Sequence, residues 1–356
     1  MPKTEMRAGD IPVAGSNGII GYHDTATPVS PCITIGRSGN VGTPYIYDKC
    51  WAHNTVLYVD DFKGNNPLYL FYLLKTLPLS SFGGGSAVPT LNRNHIHPLL
   101  IHHTSDLKLQ ERIAKLLKSL DDKIDCNRRI NDNLEQQAQA LFKSWFVDFE
   151  PFMDGEFVES EMGMIPKGWT VGALSEIANV TMGTSPAGSS YNVTGEGDVF
   201  YQGRAEFGFR FPTRNMYTTE AKRFAEIDSI LLSVRAPVGD INVAEERCCI
   251  GRGLASVQSK TGNNSFMLYL MQNLQPVFDR FNGEGTVFGC INKKALEDMT
   301  ILIPDKETMA KFDDVCSKMD GQIKTLAQES RRLAQLRDTL LPRFMSGELK
   351  MNEITI

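Results

Sequence analysis

Two stretches of the chain place mostly apolar residues at spacings that alternate between four and three, with Asn127 and Asn131 in the first pattern and Ser330 and Arg337 in the second. The first stretch runs from Ile113 to Trp145, and the second runs from Phe312 to Phe344. A heptad pattern sustained over this length is typical of long helices that pack as a coiled coil. The alternative is two amphipathic helices that each pack only on their own domain. Both stretches keep the same register, which favours pairing of the two helices.

Short β-type runs separated by Gly, Pro and Asn residues precede each heptad stretch. Examples are Cys32 to Ile35 and Val56 to Val59, and Asn66 followed by Pro67 predicts the start of a helix. We therefore predict an α/β (α+β) fold with two similar domains on two long helices. The predicted segments are a first domain at 1–107, a first helix at 108–149, an acidic linker at 150–166, a second domain at 167–305 and a second helix at 306–350.

The two halves also repeat individual sequence features about 200 positions apart. Gly85 to Val88 precedes Leu91, and Gly285 to Phe288 precedes Ile291 in the same way. A period of this length is too long for a solenoid repeat. It indicates a duplicated unit that consists of a domain and a helix.

Two units related by a pseudo-twofold axis would pair their helices antiparallel. Head-to-tail pairing of the seams then sets Asn127 opposite Ser330, and Asn131 opposite Leu326. Buried polar residues in a coiled-coil seam cost stability but can fix its register. We interpret Asn127, Asn131 and Ser330 as candidate register residues.

Composition narrows the class of protein. The chain has 356 residues, 42% hydrophobic and 22% charged, which is typical of an ordinary globular protein with two or three domains. No apolar run approaches the ~20 residues needed to span a bilayer, and the seven scattered cysteines indicate reduced thiols in the cytoplasm. The net charge of −5 argues against a free, non-specific DNA-binding protein. It permits a DNA reader with local basic patches.

Motifs for catalysis or cofactor binding are missing from the sequence. It contains no P-loop, no HExxH and no Cys/His spacing typical of zinc, so we expect no metal or cofactor in this chain. Asn66 to Tyr69 resembles the NPPY motif of adenine methyltransferases but departs from it at Leu68. The duplicate segment, Asn264 to Met267, departs further, so the interpretation as a helix cap is favoured. Four neighbouring histidines are interpreted as surface or packing residues: His95, His97, His102 and His103.

Arg37 and Arg235 each follow a β-type run and lie in a Gly-containing turn. An arginine there can bind a guanine edge or a phosphate, or it can support the turn from inside the domain. Because both copies share it, base readout is better assigned to polar residues that differ between the copies. These candidates are Gln202, Arg204, Arg210, Arg214 and Arg252 in the second domain, and Ser16, Asn17 and His53 in the first. Candidates for phosphate contacts are Arg93, Asn94, Lys293 and Lys294, with solvated surface as the alternative for every residue of both sets.

Several segments, taken together and in order, resemble a known family over nearly the whole chain. The segments are Gly9 to Val13, Gly15 to Gly18, Gly36 to Gly42, Gly85 to Leu91, Leu109 to Ala114, Ile165 to Trp169 and Leu340 to Glu348. The chain resembles the DNA specificity (S) subunit of type I restriction–modification enzymes. No single segment is diagnostic, but their order and duplication are specific.

The resemblance implies two target recognition domains that each read one half of a split DNA site, joined by an antiparallel coiled coil that sets the gap. It implies a chain without catalytic activity. The implied partners are double-stranded DNA, two modification (M) subunits that methylate adenine with S-adenosylmethionine, and restriction (R) subunits that use ATP and Mg. The resemblance implies that the M subunits make many of the contacts with DNA. The negative net charge of this chain is then compatible with DNA recognition. No membrane contact is implied.

Two alternatives remain open, a self-contained adenine DNA methyltransferase and a coiled-coil scaffold that does not bind DNA. The sequence also departs from the family pattern at one place. About 28 residues separate Trp169 from Gly197 in the second domain, whereas eight residues precede the corresponding Gly9. We therefore expect a first domain shortened at its N-terminus, less stable than the second and impaired in reading its half-site.

Overall fold

The computed structural model describes residues 6–83, 90–282 and 289–350. The chain divides into two compact units. Unit 1 comprises Met1–Arg129 and Leu326–Ile356, and unit 2 comprises Ile130–Thr325. The repeated Gly-rich segments, Gly85 to Val88 and Gly285 to Phe288, lie outside the described residues.

Unit 1 is built, in its described part, from two small sheets, two short helices and parts of the two long helices. Its strands are β1 (Ile11–Gly15), β2 (Gly18–His23), β3 (Cys32–Gly36), β4 (Pro44–Tyr47), β5 (Trp51–Ala52) and β6 (Val56–Tyr58). Its helices are α1 (Pro67–Thr76), α2 (Arg93–Ile96), the first part of α3 (Leu107–Phe146) and the last part of the second long helix, α8 (Lys306–Met345). One sheet has the order β2-β1-β5, in which β5 runs parallel to β1, and the other has the antiparallel order β4-β3-β6.

Helix α1 begins where the sequence predicts. The side chain of Asn66 accepts a hydrogen bond from Tyr69 N at 2.9 Å, and Pro67 occupies the first helical turn. A proline there loses no intrahelical hydrogen bond. The interpretation of Asn66 as a helix cap is therefore confirmed, and α1 packs with α3 and the end of the second long helix in the core of unit 1.

Unit 2 contains more elements. Its strands are β7 (Phe157–Ser160), β8 (Gly163–Pro166), β9 (Thr170–Ala173), β10 (Ala178–Met182), β11 (Tyr191–Asn192), β12 (Asp198–Tyr201), β13 (Tyr217–Thr218), β14 (Phe224–Ala225), β15 (Ile230–Ser233), β16 (Ile241–Val243), β17 (Cys248–Ile250), β18 (Leu254–Ser259) and β19 (Thr300–Ile303). Its helices are α4 (Leu174–Ile177), α5 (Asn264–Asn273), α6 (Gln275–Asp279), α7 (Lys293–Glu297), the last part of α3 and the first part of α8 (Lys306–Met345).

The sheets of unit 2 have the orders β10-β18-β15-β16, β11-β13-β12-β17-β14, β9-β19 and β7-β8. The hairpin β7-β8 lies within the segment predicted as a linker. That segment is ordered because Ile165 at its end is buried in the main core of the unit.

An aromatic cluster joins the helices of unit 2 to its domain. The ring centroid of Phe146 on α3 lies 5.0 Å from that of Phe266 on α5, 5.1 Å from that of Phe312 on α8 and 5.7 Å from that of Trp169. The contacts of Phe146 with Phe266 and Phe312 are edge-on and that with Trp169 is tilted, and aromatic pairs at such distances stabilise the fold beyond the burial of their area. This cluster is the centre of the largest core described.

The two long helices run antiparallel within each unit. In unit 1, Nδ2 of Asn127 donates to Ser330 Oγ at 3.3 Å and to Glu329 Oε2 at 2.7 Å. The predicted contact between Asn127 and Ser330 is therefore present. In unit 2, Asn131 Nδ2 donates to the backbone carbonyl of Ile323 at 3.4 Å.

The two units share a common set of elements. The antiparallel sheet β4-β3-β6 corresponds to β16-β15-β18, and the parallel pair β1/β5 corresponds to β12/β17. Helices α1 and α5 follow β6 and β18, and α2 and α7 precede the long helices at corresponding places. The predicted duplication is thus a duplication of structure.

Candidate nucleic-acid interface

Arg37 and Arg235 lie in tight turns after the central strands β3 and β15. Both side chains are exposed, and neither makes an ion pair or side-chain hydrogen bond within the described residues. The backbone holds each turn, because Arg37 O accepts from Leu91 N at 2.8 Å and Val234 O accepts from Ile291 N at 3.1 Å. The side chains therefore do not support the turns from inside, and both guanidinium groups are free to bind a phosphate or a base edge.

Arg210 is the clearest correction. Its side chain is only 4% exposed and lies between Glu135 on α3 and Asp320 on α8. Nη1 of Arg210 is 2.9 Å from Asp320 Oδ1, and Nη2 donates to Glu135 Oε2 and, at 3.1 Å, to Tyr269 Oη. The prediction that Arg210 contacts DNA is wrong, because a buried guanidinium between two carboxylates is committed to the interior. Its role is to tie the loop after β12 to both long helices.

Ser16 lies inside the domain rather than on its open surface. It is buried, and its side chain lies against the glycines of the turn that carries Arg37. It packs under the turn, so a DNA contact of Ser16 stays a prediction that its burial does not favour. His53 is half-buried, with Nδ1 2.9 Å from Thr55 Oγ1.

The other predicted contact residues lie on the surface. They are Asn17, Arg93, Asn94, Gln202, Arg204, Arg214, Arg252, Lys293 and Lys294. Three of them pair with neighbouring carboxylates: Arg204 with Asp240, Arg214 with Glu246 at 2.6 Å, and Lys293 with Glu297 at 3.4 Å. Exposed pairs of this kind contribute little to stability and can open to bind a phosphate.

A feature that the sequence reasoning missed is a tyrosine–aspartate joint in each unit. In unit 1, Tyr72 Oη on α1 donates to Asp121 Oδ2 on α3 at 2.7 Å. In unit 2, Tyr269 Oη on α5 donates to Asp320 Oδ1 on α8 at 2.7 Å. Burial raises the pKa of both phenols, so each remains a neutral donor. The signal in the sequence was an aspartate beside the seam at the same heptad position of both long helices.

Neither a metal site nor a membrane segment is found in the part of the chain that the structure describes. No group of three or more His, Cys, Asp or Glu side chains in it could hold a metal ion. His95, His97, His102 and His103 are exposed. No helix among residues 6–83, 90–282 and 289–350 combines the length and apolar character needed to cross a bilayer.

Comparison with known proteins decides the family. The family profile described as "Type I restriction modification DNA specificity domain" matches residues 3–136 and 166–334. The chain belongs to this family. A Methanocaldococcus jannaschii protein assigned as the specificity subunit of the type I restriction enzyme MjaX is 31% identical over 293 residues, which cover 80% of this chain and 68% of that protein. The MjaIX specificity subunit of the same organism is 27% identical over 310 residues, or 80% and 70% of the two chains.

A solved structure supports the fold. The S subunit of a type I restriction–modification system from M. genitalium superposes with a TM-score of 0.61 at 17% identity, covering 97% of this chain and 91% of that chain. The predicted α/β class with two similar domains and long helices is thereby confirmed. The chain is a specificity subunit of a type I restriction–modification system.

Proposed function

We propose that this specificity subunit reads a split site on double-stranded DNA, with one half read by each unit, and has no catalytic activity of its own. The observation that carries the proposal is the repetition of the same sheet, turn and helix in both units, each on a part of the two long helices. Two similar readers in one chain suit a DNA site with two halves. The exposed arginines of the turns, Arg37 and Arg235, supply contacts common to both halves.

The partners follow from the family membership. We propose that two M subunits dock on the chain, methylate adenine with S-adenosylmethionine and close around the DNA, and that R subunits add ATP- and Mg-dependent cleavage. No cofactor is assigned to this chain. A net charge of −5 suits a reader whose partners provide much of the phosphate contact. A protein that reads DNA works where the DNA is, so we expect a cytoplasmic location.

Co-expression with its M subunit in a host without other adenine methylation tests the proposal. Sequencing of methylated bases should find one split motif with two defined halves and a fixed gap. Binding of the purified complex to a duplex with that motif should weaken steeply with salt, as expected when phosphates are neutralised. Methylation without a sequence motif, or a stable complex that never binds DNA, would contradict the proposal.

Two measurements discriminate the alternatives, one on the isolated chain and one on the complex. Binding of S-adenosylmethionine by the chain alone would favour a self-contained methyltransferase. Failure of the complex to bind any duplex at low salt would favour a scaffold.

A further inference from the structure

A four-residue turn of the same form occurs in both units, between β5 and β6 in unit 1 and between β17 and β18 in unit 2. Val56 N donates to His53 O at 3.1 Å, and Leu254 N donates to Gly251 O at 3.0 Å. A hydrogen bond from the fourth residue to the first is typical of a β-turn. Both units therefore carry the same turn between corresponding strands.

The residue that opens each turn is bonded to the neighbouring parallel strand. His53 N donates to Ala14 O on β1 at 3.0 Å, and Gly251 N donates to Tyr201 O on β12 at 2.8 Å. Each acceptor is the last residue of its strand in the parallel bridge that precedes the turn. The two turns therefore begin in the same register.

The third residue of each turn is bonded to the end of the central strand that leads into the arginine-bearing turn. Thr55 O accepts from Arg37 N at 2.8 Å. In unit 2, Gly253 O accepts at 2.9 Å from Val234 N, directly before Arg235. The register is thus the same before and after the second residue of each turn.

The second residue of the turn is Asn54 in unit 1 and Arg252 in unit 2, so these two positions are equivalent. Both side chains are exposed, and neither makes an ion pair or a hydrogen bond with another residue that the structure describes. Arg204 and Arg214, by contrast, pair with carboxylates. The Asn54 carboxamide and the Arg252 guanidinium are therefore free to bind a ligand.

Each turn is held in place by its neighbours, although by different means. In unit 1, Nδ1 of His53 lies 2.9 Å from Thr55 Oγ1, which links the first and third residues of the turn. In unit 2 the third residue, Gly253, lies so close to the next strand that a Cβ there would be 2.6 Å from Gln202 O. A side chain on a turn fixed in this way loses less conformational entropy on binding.

Cations that suit phosphates lie beside the turn in both units. The turns that carry Arg37 and Arg235 are bonded to it, and the backbone at positions 91 and 291, bonded to the same turns, leads to Arg93 and Lys293. Phosphates are the same in every DNA sequence, so contacts to them can be alike in both units. The second turn residue differs, since it is a neutral amide in one unit and a guanidinium in the other.

We propose that Asn54 and Arg252 are equivalent base-reading residues, and that Arg252 specifies a guanine and Asn54 an adenine, each in the half-site that its unit reads. The inference rests on the proposed function and extends it to the residues that set specificity. In the major groove, a guanidinium donates two hydrogen bonds to O6 and N7 of guanine, whereas a carboxamide pairs with N6 and N7 of adenine.

The neutral side chain in unit 1 favours a base contact over a phosphate contact. Asn54 carries no charge that could neutralise a phosphate, whereas the neighbouring positions keep a cation in both units. Two readers of different half-sites need different hydrogen-bonding groups at the same place. The pair of Asn54 and Arg252 meets that need on one backbone geometry.

Substitutions in the complex co-expressed with the M subunit test this inference. The variants are Arg252→Ala, Arg252→Lys, Asn54→Ala and Asn54→Gln. Matched controls are Arg247→Ala and Lys49→Ala, which remove exposed cations that precede β17 and β5, whereas Arg252 and Asn54 follow these strands. The measurements are the methylated motif, the affinity for duplexes with single base-pair changes across it, the salt dependence of that affinity and the melting temperature.

Arg252→Ala should lower affinity for the cognate duplex about tenfold to a hundredfold and remove the preference for guanine at one position of one half-site. Arg252→Lys should keep the salt dependence but lose part of that discrimination, because an ammonium group lacks the planar fork of a guanidinium. Asn54→Ala should relax an adenine position in the other half-site, and Asn54→Gln should retain part of the preference. The controls should leave the motif unchanged, and all of these exposed substitutions should nearly keep the melting temperature of the wild type.

Uniform weakening of Arg252→Ala on every duplex, with an unchanged motif, would assign this arginine to a phosphate and overturn the inference. A relaxed position in only one half-site would contradict the equivalence of the two residues. In both cases a wild-type complex that methylates a split motif leaves the proposed function standing. A wild-type complex without any motif would instead contradict the proposed function.

Discussion

Both units contain the tyrosine–aspartate joint, but a different arginine pairs with the aspartate in each unit. Asp121 and Asp320 occupy equivalent positions on α3 and α8, and each accepts from a tyrosine of its domain helix. In unit 1 the balancing cation is Arg337, on α8, with Nη1 2.5 Å from Asp121 Oδ1. In unit 2 it is Arg210, from the loop after β12. The acid and the phenol are thus common to both copies, whereas the cation was supplied independently in each.

The arginine comes from a different element in each unit, so the joint holds different elements together. In unit 1 the arginine joins one long helix to the other, so the joint fixes helix pairing. In unit 2 the arginine joins the loop after β12 to both long helices, so the joint also fixes that loop of the domain. The Arg337 side chain is 21% exposed and the Arg210 side chain is 4% exposed. Loss of Arg210 should therefore lower the free energy of unfolding more than loss of Arg337.

The largest expected effect is that of Arg210→Met. Removing the guanidinium leaves the buried Glu135 and the partly buried Asp320 without a cation, which should destabilise unit 2 by about 3 kcal/mol. Urea unfolding followed by Trp145 and Trp169 in a Trp51→Phe background reports unit 2 selectively. Arg204→Met, which removes an exposed ion pair, should change stability by less than about 0.5 kcal/mol. Equal effects of the two variants would show that the Arg210 joint is not a structural anchor.

A second difference concerns the residues before each long helix. In unit 2, β19 pairs with β9, and Ile301 is buried. In unit 1 the corresponding residues form no strand in the described chain, and Ile101 is 41% exposed while Leu100 is fully exposed. The same part of the duplicated unit is therefore a sheet strand in one copy and an open segment in the other.

Hydrogen exchange should resolve this difference. Amides of residues 300–303 are held in a sheet, so they should exchange at least about 100-fold more slowly than amides of residues 100–103. Peptide-level mass spectrometry of the intact chain gives both rates in one sample. Comparable protection of the two segments would contradict both this prediction and the expectation that the first domain is the less stable.

Arg337→Met should have a smaller effect than Arg210→Met. Asp121 is partly exposed and keeps Tyr72 as a donor, with Lys75 Nζ 3.9 Å away. Solvent screening should hold the loss to about 1 kcal/mol. Urea unfolding in a Trp145→Phe, Trp169→Phe background, in which Trp51 is the reporter of unit 1, measures it. A loss as large as that of Arg210→Met would mean that the two joints are energetically alike and that exposure does not separate them.

The sequence predicted the parts of this molecule that repeat with a regular period. The heptad seams gave both long helices, and Asn66 with Pro67 gave the start of α1. Arg210 was misassigned because an arginine in a loop with Gly and Phe residues is expected to be exposed. Its burial depends on two carboxylates that lie 75 and 110 positions away in sequence. Long-range partners of this kind have no local signal, whereas helix periodicity and capping are local.

The smallest expected effect concerns how the domain helices are capped. α1 is capped by its own neutral Asn66, whereas the first turn of α5 donates to Asp313 of α8, with Oδ1 2.8 Å from Ser265 N and 3.1 Å from Phe266 N. Burial raises the pKa of Asp313, against the opposing effect of the two backbone donors. The native state then binds the proton more tightly than the unfolded state, so stability from this group is present below the unfolded pKa and is lost as pH rises through the native value.

Asp313→Asn keeps an acceptor for the two N–H groups and removes the charge. Its stability relative to wild type should therefore improve as pH rises from about 4 to 7, by about 0.5 kcal/mol after discounting for the half-exposed site. The neighbouring exposed Asp314→Asn, which loses only an ion pair with Lys318, should show no such trend. Urea midpoints at the two pH values measure both variants. A pH trend of opposite sign would mean that the hydrogen bonds from Ser265 and Phe266 lower the pKa of Asp313 more than burial raises it. The charged carboxylate would then stabilise α5, whereas α1 is capped by a neutral side chain.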